Sequence, residues 1–328
     1  MNIFNKVALQ GLKKNRTRTL VTIVGVILSA AIVTAVTTFG VSLLNYLING
    51  SISKYGDWHA AFLDVDSSFI REQAVNDKLA ATAVFDNIGY AGLGGGQNPD
   101  KPYLFIAGFT DETFAALPIT LLSGRLPENS GEILISSKVA SDGGVSFKVG
   151  DTLSLSVGNR MDGDRKLSQG DPYAAGRETF VPQAEKTYTV VGTCRRPDYE
   201  EASAPGYTLI TKADDRTETD SFSLFVTLKN PRQVRAYINS TGNHAYVLND
   251  NVLRFMGISD DNLFNMFMYS MGGIVIAIIM LGSIFLIYNS FNMSLNERTQ
   301  QFGILSSVGA TAKQLRNSVL FEGFCIGM

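Results

Sequence analysis

Residues 266–288 read MFMYSMGGIVIAIIMLGSIFLIY, without a single Asp, Glu, Lys or Arg. The charge-free window around them runs from Asn262 to Asn296, and a second runs from Thr19 to Ser53, each 35 residues long. About 20 apolar residues suffice to cross the hydrocarbon of a bilayer, so these two windows decide the fold. Averages over the 328 residues conceal them: the hydrophobic fraction of 45% is ordinary, the charged fraction of 18% is low and the mean hydropathy is +0.10. Two such windows exclude an ordinary soluble protein. The two cysteines, Cys194 and Cys325, are too far apart and too few for a disulfide scaffold.

Charge, divided by segment, sets an orientation. Residues 1–53 carry five basic groups (Lys6, Lys13, Lys14, Arg16, Arg18) and no acidic one, whereas 54–261 carry 20 basic and 28 acidic groups, a net of −8. Short Lys/Arg-rich flanks stay in the cytoplasm while long domains translocate largely regardless of charge. The N-terminus is therefore expected inside, residues of about 49–261 outside, and the chain back in the cytoplasm near Asn296. A signal peptide does not account for the first window, because its apolar stretch from Leu20 to Leu47 far exceeds the 7–15 residues of a signal core. A third apolar stretch begins near Ser318 (SVLFEGFCIGM) and the sequence stops inside it. A helix does not end halfway across hydrocarbon with its carbonyls unpaired, so the chain is expected to be the N-terminal part of a longer membrane protein or to pair with one that completes it.

The expected fold is membrane α-helical, with an α+β extracytoplasmic domain inserted between transmembrane helices 1 and 2. Its segments are an amphipathic cytoplasmic helix (1–18), a first span (19–48), the external domain (49–261), a second span (262–291), a cytoplasmic coupling segment (292–316) and the start of a third span (317–328). Ile3, Phe4, Val7, Ala8 and Leu12 share one face of the leading helix, as in helices that lie in a membrane interface. Gly25 and Ser29 in the first span, and Gly272, Gly273 and Gly282 in the second, would let another helix approach closely. At 1.5 Å per residue, residues 20–47 measure about 42 Å against a core of about 30 Å, so the first helix must tilt or continue outward as a stalk. Strand-like runs of β-branched and aromatic residues recur at 60–65, 82–90, 103–109, 132–136, 152–157, 187–193, 207–211 and 222–228, with helical patterns at 69–81 and 231–240. The mixture leaves room for two lobes. Residues 92–101 and 158–186 are polar and rich in Gly, Asp and Pro and read as mobile loops.

No catalytic constellation stands out. His59 and His244 are isolated, and the glycines at 92, 94, 95 and 96 lack the Lys-Ser/Thr of a phosphate loop. The cluster Asp198, Glu200, Glu201 beside Arg195 and Arg196 reads as a solvated loop. The informative stretch is 292–323, NMSLNERTQQFGILSSVGATAKQLRNSVLFEG, which reads as a span ending near Asn292, a short helix, a Gly-Ala-Thr break and a second helix. Phe302, Ile304, Leu305 and Val308 form an apolar patch there that needs a partner, protein or lipid.

That stretch resembles a known family. Glu297-Arg298-Thr299-Gln300-Gln301-Phe302-Gly303-Ile304-Leu305, followed by Val308-Gly309-Ala310-Thr311, is similar to the ER-x-x-EIGIL-x-x-x-GAT motif of FtsX-like permeases, the membrane subunits of MacB-type ABC transporters. Gln301-Phe302 stands where the family usually has an acidic residue and Ile. The leader (Ala8-Leu9 to Asn15-Arg16, then Arg18-Thr19-Leu20 to Gly25-Val26) and the external pieces LSGRLP (122–127), GEILIS (131–136), VGDTL (149–153) and YTVVG (188–192) also resemble that family. The resemblance implies a non-catalytic permease subunit that contacts a separate ABC ATPase through Glu297, Arg298, Phe302, Gly303, Ile304, Leu305, Gly309 and Ala310. It further implies no cofactor in this chain, ATP-Mg on the partner, a second permease copy or homologous permease, a surrounding lipid bilayer and no nucleic acid. ATP hydrolysis would move the external domain, a mechanotransmission that exports or extracts peptide, lipoprotein or antibiotic. A membrane-anchored sensor or ligand-binding protein without transport is the alternative.

Overall fold

The computed structural model describes residues 3–14, 16–214, 220–259 and 261–327. The chain divides into two compact units, one formed by Met1–Asn45 with Asn262–Met328 and the other by Tyr46–Asp261.

The first unit is helical. α1 (Ile3–Lys14) packs against the C-terminal helix; α2 (Arg16–Tyr55) runs unbroken for 40 residues, its last turns belonging to the second unit. At 1.5 Å per residue it is about 60 Å long. Thr22 and Ser29 are buried with Gly25 partly so, which places small residues three to four positions apart on one inward stripe. The hydroxyls of Ser29, Thr34 and Thr37 donate to the carbonyls of Gly25, Ala30 and Val33, so this apolar helix satisfies them internally.

The second unit is an α+β domain built on one eleven-stranded mixed sheet. Its strands are β1 (Ala60–Val65), β2 (Leu79–Gly92), β3 (Tyr103–Phe109), β4 (Leu121–Gly124), β5 (Glu132–Ser136), β6 (Thr152–Asp162), β7 (Arg165–Leu167), β8 (Thr179–Cys194), β9 (Gly206–Lys212), β10 (Phe222–Leu228) and β11 (Tyr246–Leu248). They run in the order β11-β1-β10-β2-β3-β9-β5-β8-β6-β7, with β4 on β8. β3/β9 and β5/β8 are parallel and the other pairs antiparallel. One bridge, Tyr90 opposite Gly158, joins β2 to β6 and closes β2-β3-β9-β5-β8-β6 into a ring. The strands therefore form a continuous sheet and not two separate lobes. Short helices cover it: α3 (Ser67–Ala74), α4 (Asp111–Ala116), α5 (Lys138–Ser141), a 3-10 turn at Pro231–Gln233 leading into α6 (Val234–Ser240), and α7 (Asp250–Leu253). Phe85, Phe105, Phe109 and Phe225 build one core with Trp58 and Tyr199, and Ile106, Ile133, Tyr188 and Leu209 lie in a second.

Beyond the domain, α8 (Asn262–Ser307) runs 46 residues without interruption, a turn follows, and α9 (Ala312–Gly327) ends the described chain. The short helix expected after Asn292 is thus the continuation of the second apolar helix.

Three other local readings change. The helical pattern at 69–81 stops at Ala74, because Asn76 turns the chain and Leu79 enters β2, where Leu79 and Ala81 pair with Leu228 and Thr227 of β10. Sheet pairing overrides local propensity there. Residues 158–186 are no mobile loop: they hold the ends of β6 and β8 and all of β7, in register from Gly158↔Pro182 to Met161↔Thr179. What orders them is a buried ion pair. Arg160 donates from Nε to Glu178 Oε1 at 3.0 Å and from Nη2 to Oε2 at 2.6 Å, and from Nη1 to the Ser168 carbonyl at 2.8 Å. Its guanidinium also lies over the rings of Tyr90 and Tyr103. Glu200, read from sequence as solvated, is buried; it accepts from Lys101 Nζ at 3.1 Å and from the Thr208 amide at 2.9 Å.

Candidate functional site

The corner between α8 and α9 is specified residue by residue. Gly309 has φ +92°, the left-handed conformation that favours glycine. Its amide donates to the Ser306 carbonyl at 3.0 Å and the Ala310 amide donates to the Leu305 carbonyl at 3.0 Å. Those two bonds are a Schellman cap, which ends α8 and satisfies two of its last carbonyls. Thr311 then opens α9: its Oγ1 accepts from the Gln314 amide at 3.4 Å, while Gln314 Oε1 accepts from the Thr311 amide at 2.9 Å. This reciprocal pair is a capping box. The Gly-Ala-Thr break is therefore a stop signal fused to a start signal.

Of the residues expected to meet a partner, Phe302, Gly303, Ile304 and Leu305 occupy the last turns of α8, and Gly309 and Ala310 occupy the corner. The side chains of Glu297 and Arg298 lie outside the described residues. Ile304 is 60% exposed and Val308 83%, whereas Phe302, Leu305 and Ala310 are half-buried. An exposed apolar pair beside a rigid corner is a surface that association would cover.

The two long helices pose the same problem on a larger scale. In their most apolar 18-residue windows only 11% of α2 and 0% of α8 is buried by the protein. A core helix of a soluble domain would be mostly buried, so these apolar surfaces need some solvent or partner other than water.

In the sheet domain the four motif pieces converge on β8. Arg125 of LSGRLP forms a two-pronged ion pair with Glu132 of GEILIS, at 2.7 and 2.6 Å, and holds that carboxyl down at about 2. Gly124 (φ +74°) lies so close to Val191 that a Cβ would stand 2.1 Å from its carbonyl oxygen. The Gly150 amide of VGDTL donates to Val190 of YTVVG, and the Thr189 amide donates to Gly131. These pieces hold the sheet together and touch no candidate site.

A cleft of about 430 Å³ opens where the loops entering β3 and β9 meet, over Lys101, Asp142 and Tyr207. Tyr207 Oη and Asn98 Nδ2 donate to Asp142 Oδ2 at 2.7 and 2.9 Å and hold that carboxyl below its usual range. The buried partners Lys101 and Glu200 stand 99 positions apart, so no local pattern signals them. The capping box at Thr311–Gln314, by contrast, was readable as T-x-x-Q.

The isolated histidines are structural. His59 is buried, its Nδ1 accepts the Leu228 amide at 2.9 Å, and burial lowers its pKa; the His244 ring lies 4.4 Å from that of Phe69. Cys194 is buried and its thiol is pushed up to about 12 by burial, which leaves it unreactive. Among the described residues no cluster of His, Cys, Asp and Glu could hold a metal ion.

Comparisons with known proteins bear on this arrangement. The family model of the MacB-like periplasmic core domain matches residues 19–241, and that of the FtsX-like permease C-terminal region matches residues 273–328. No curated protein matches the chain. Among solved structures it is similar to the extracellular domain of the noncanonical ABC-type transporter YknZ from Gram-positive bacteria, at 10% identity, 58% of this chain, 98% of that chain and a TM-score of 0.30. It is also similar to a domain assigned to a permease of Porphyromonas gingivalis, at 11% identity, 58% of this chain, 85% of that chain and a TM-score of 0.29. Likenesses that low define neither fold nor function. The family models span both the sheet domain and the α8–α9 corner, and by them the chain belongs to the FtsX-like, MacB-type family of ABC-transporter permeases.

Proposed function

We propose that the chain is the permease subunit of an ABC transporter complex in which ATP-Mg is bound and hydrolysed by a separate ATPase. In this reading α2 and α8 cross the membrane, the N-terminus and the α8–α9 corner face the cytoplasm, and the sheet domain lies outside. The observation that carries it is the corner: a left-handed Gly309 and a capping box fix the exposed Ile304 and Val308 at the end of a 46-residue helix that follows the sheet domain directly in the chain. A rigid helix with a docking surface at one end and a domain at the other can carry displacement between them. Glu297, Arg298, Phe302, Gly303, Ile304, Leu305, Gly309 and Ala310 would seat the ATPase. Export or extraction of a peptide, lipoprotein or antibiotic by mechanotransmission follows from the family, as does pairing with a second permease.

Replacing Ile304 and Leu305 together by Asp tests this. Unpaired charges in a dry contact are costly, so co-purification with the ATPase and stimulation of its hydrolysis should be lost while membrane insertion persists. A double variant that still binds and stimulates normally would sink the assignment and favour a sensor without transport.

A further inference from the structure

Two irregularities in the sheet meet at one small cavity. β1 and β2 flank β10. β1 is bulged between Phe62 and Val65, and Asp64 within the bulge has φ +54°, in the left-handed region that residues other than glycine seldom adopt. β2 is bulged between Asn87 and Gly89. Bulges re-aim side chains, and Asp64 and Asn87 both line a cavity of about 30 Å³. Asp64 accepts from the Ser221 hydroxyl; Asn87 Nδ2 donates to Ser221 Oγ at 2.8 Å, and Asn87 Oδ1 accepts from Ser223 at 2.9 Å. The bulges thus bring a connected polar network to the cavity.

Two other lining residues are not satisfied in this way. Tyr199, from the loop between β8 and β9, and Thr208, in β9, also line the cavity. They are 8% and 1% exposed, and their hydroxyl oxygens are buried with no hydrogen-bond partner among the described residues. Tyr199 is wedged between aromatic rings, its centroid 5.4 Å from that of Phe85 and 5.3 Å from that of Phe225. Thr208 is fixed by its pairing with Phe105 of β3 and by its amide, which donates to Glu200 Oε2 at 2.9 Å. Burying a hydroxyl without a hydrogen bond is costly, so two of them on one cavity point to an occupant.

Size and chemistry select it. Each molecule of liquid water takes up about 30 Å³, so the cavity has room for one water and not for a sugar, an amino acid or a phosphate. A water both donates and accepts, which suits two hydroxyls beside a carboxylate and a carboxamide. A metal ion is the poorer fit, because among the described residues no group of His, Cys, Asp and Glu could hold one.

We propose that this cavity is a binding site for a single ordered water, held by Tyr199 Oη and Thr208 Oγ1 and completed by the polar groups of the two bulges. The water ties the loop that carries Tyr199 to β9 and to the bulged strands.

The test compares the full chain in detergent micelles with its Thr208→Val and Tyr199→Phe variants, read by Trp58 emission during denaturant unfolding. Each change removes a hydroxyl and leaves the shape of the side chain nearly unaltered. With a water in place each variant loses a hydrogen bond, and its unfolding constant should rise about five-fold. Without one, each variant sheds an unsatisfied polar group and is at least as stable as the wild type, a result that overturns the proposal. The two hydroxyls share one water, so the double variant should fall short of the product of the single effects; the full product overturns the shared site. A crystal structure of the full wild-type chain tests the site without variants. The expected result is one density peak about 2.7–3.0 Å from both hydroxyl oxygens, with no anomalous signal after a thallium soak. No peak there overturns the proposal, and so does a peak that takes up thallium, because the occupant is then a monovalent cation.

Discussion

Glu178→Gln should be among the most damaging single changes in the sheet domain, although it deletes no more than one charge. The side chains of Arg160 and Glu178 are 0% and 1% exposed. With the carboxylate gone, the guanidinium keeps the Ser168 and Asp171 carbonyls and two aromatic faces, none of which neutralises it. Removing one partner of a buried pair typically costs about 3–5 kcal/mol, because an uncompensated charge stays behind. A domain of this size shifts its melting temperature by about 2–4 °C per kcal/mol, so the expected drop is about 6–20 °C. Trp58, the sole tryptophan, is buried in this domain against the edge of Phe225, so its emission follows this unit alone during denaturant unfolding of the whole chain. Replacing both partners, Arg160→Met with Glu178→Leu, removes the orphaned charge and should recover most of the loss. A Glu178→Gln variant within about 1 kcal/mol of wild type would refute the argument and return 158–186 to the status of a dispensable loop.

Other changes probe other parts of the account. Gly158→Ala would place a Cβ 2.0 Å from the Val181 carbonyl oxygen, a backbone atom that cannot retreat, and should cost about 3 kcal/mol in the same unfolding assay. Asp86 is pushed up to about 6 by burial, whereas in the unfolded chain it releases its proton near 3.9. Between those values the folded state holds more protons, so this group makes stability fall as pH rises through that window. Asp86→Asn should flatten that part of the stability–pH curve, and an unchanged curve would show that the carboxyl is better solvated than its position indicates. Gly309→Ala meets no steric obstacle to its Cβ but must adopt φ +92°, which costs about 1–3 kcal/mol. Hydrogen exchange at the Gly309 and Ala310 amides should accelerate accordingly, with the sheet domain untouched.

Much of this architecture was legible in the residues. β1, β3, β5 and β10 occupy the runs of β-branched and aromatic residues at 60–65, 103–109, 132–136 and 222–228, because each is buried on both faces and reads as nearly continuous apolar sequence. The apolar helices were visible from the missing charges, and the Gly-Ala-Thr corner from its turn chemistry. What escaped was non-local. The polarity of 158–186 concealed strands because Arg160 and Glu178 satisfy each other inside the fold, and a sequence shows the charge without the partner. Glu200 looked solvated for the same reason, its partner Lys101 lying in a glycine-rich loop. Leu79 to Ala81 continued a helical pattern but are claimed by β10, a choice made by residues nearly 150 positions away.

The claim on which the function rests is that the sheet domain and the α8–α9 corner lie on opposite sides of a membrane. It is tested by single cysteines at Val75→Cys, on the sheet domain and 84% exposed in the native chain, and at Ile304→Cys, beside the corner. Cys325→Ser provides the background, and buried Cys194 stays in place. In intact cells a membrane-impermeant maleimide should label the Val75 position and leave the Ile304 position untouched until the membrane is permeabilised. Equal labelling of both positions in intact cells, or labelling of the Ile304 position alone, would contradict the account.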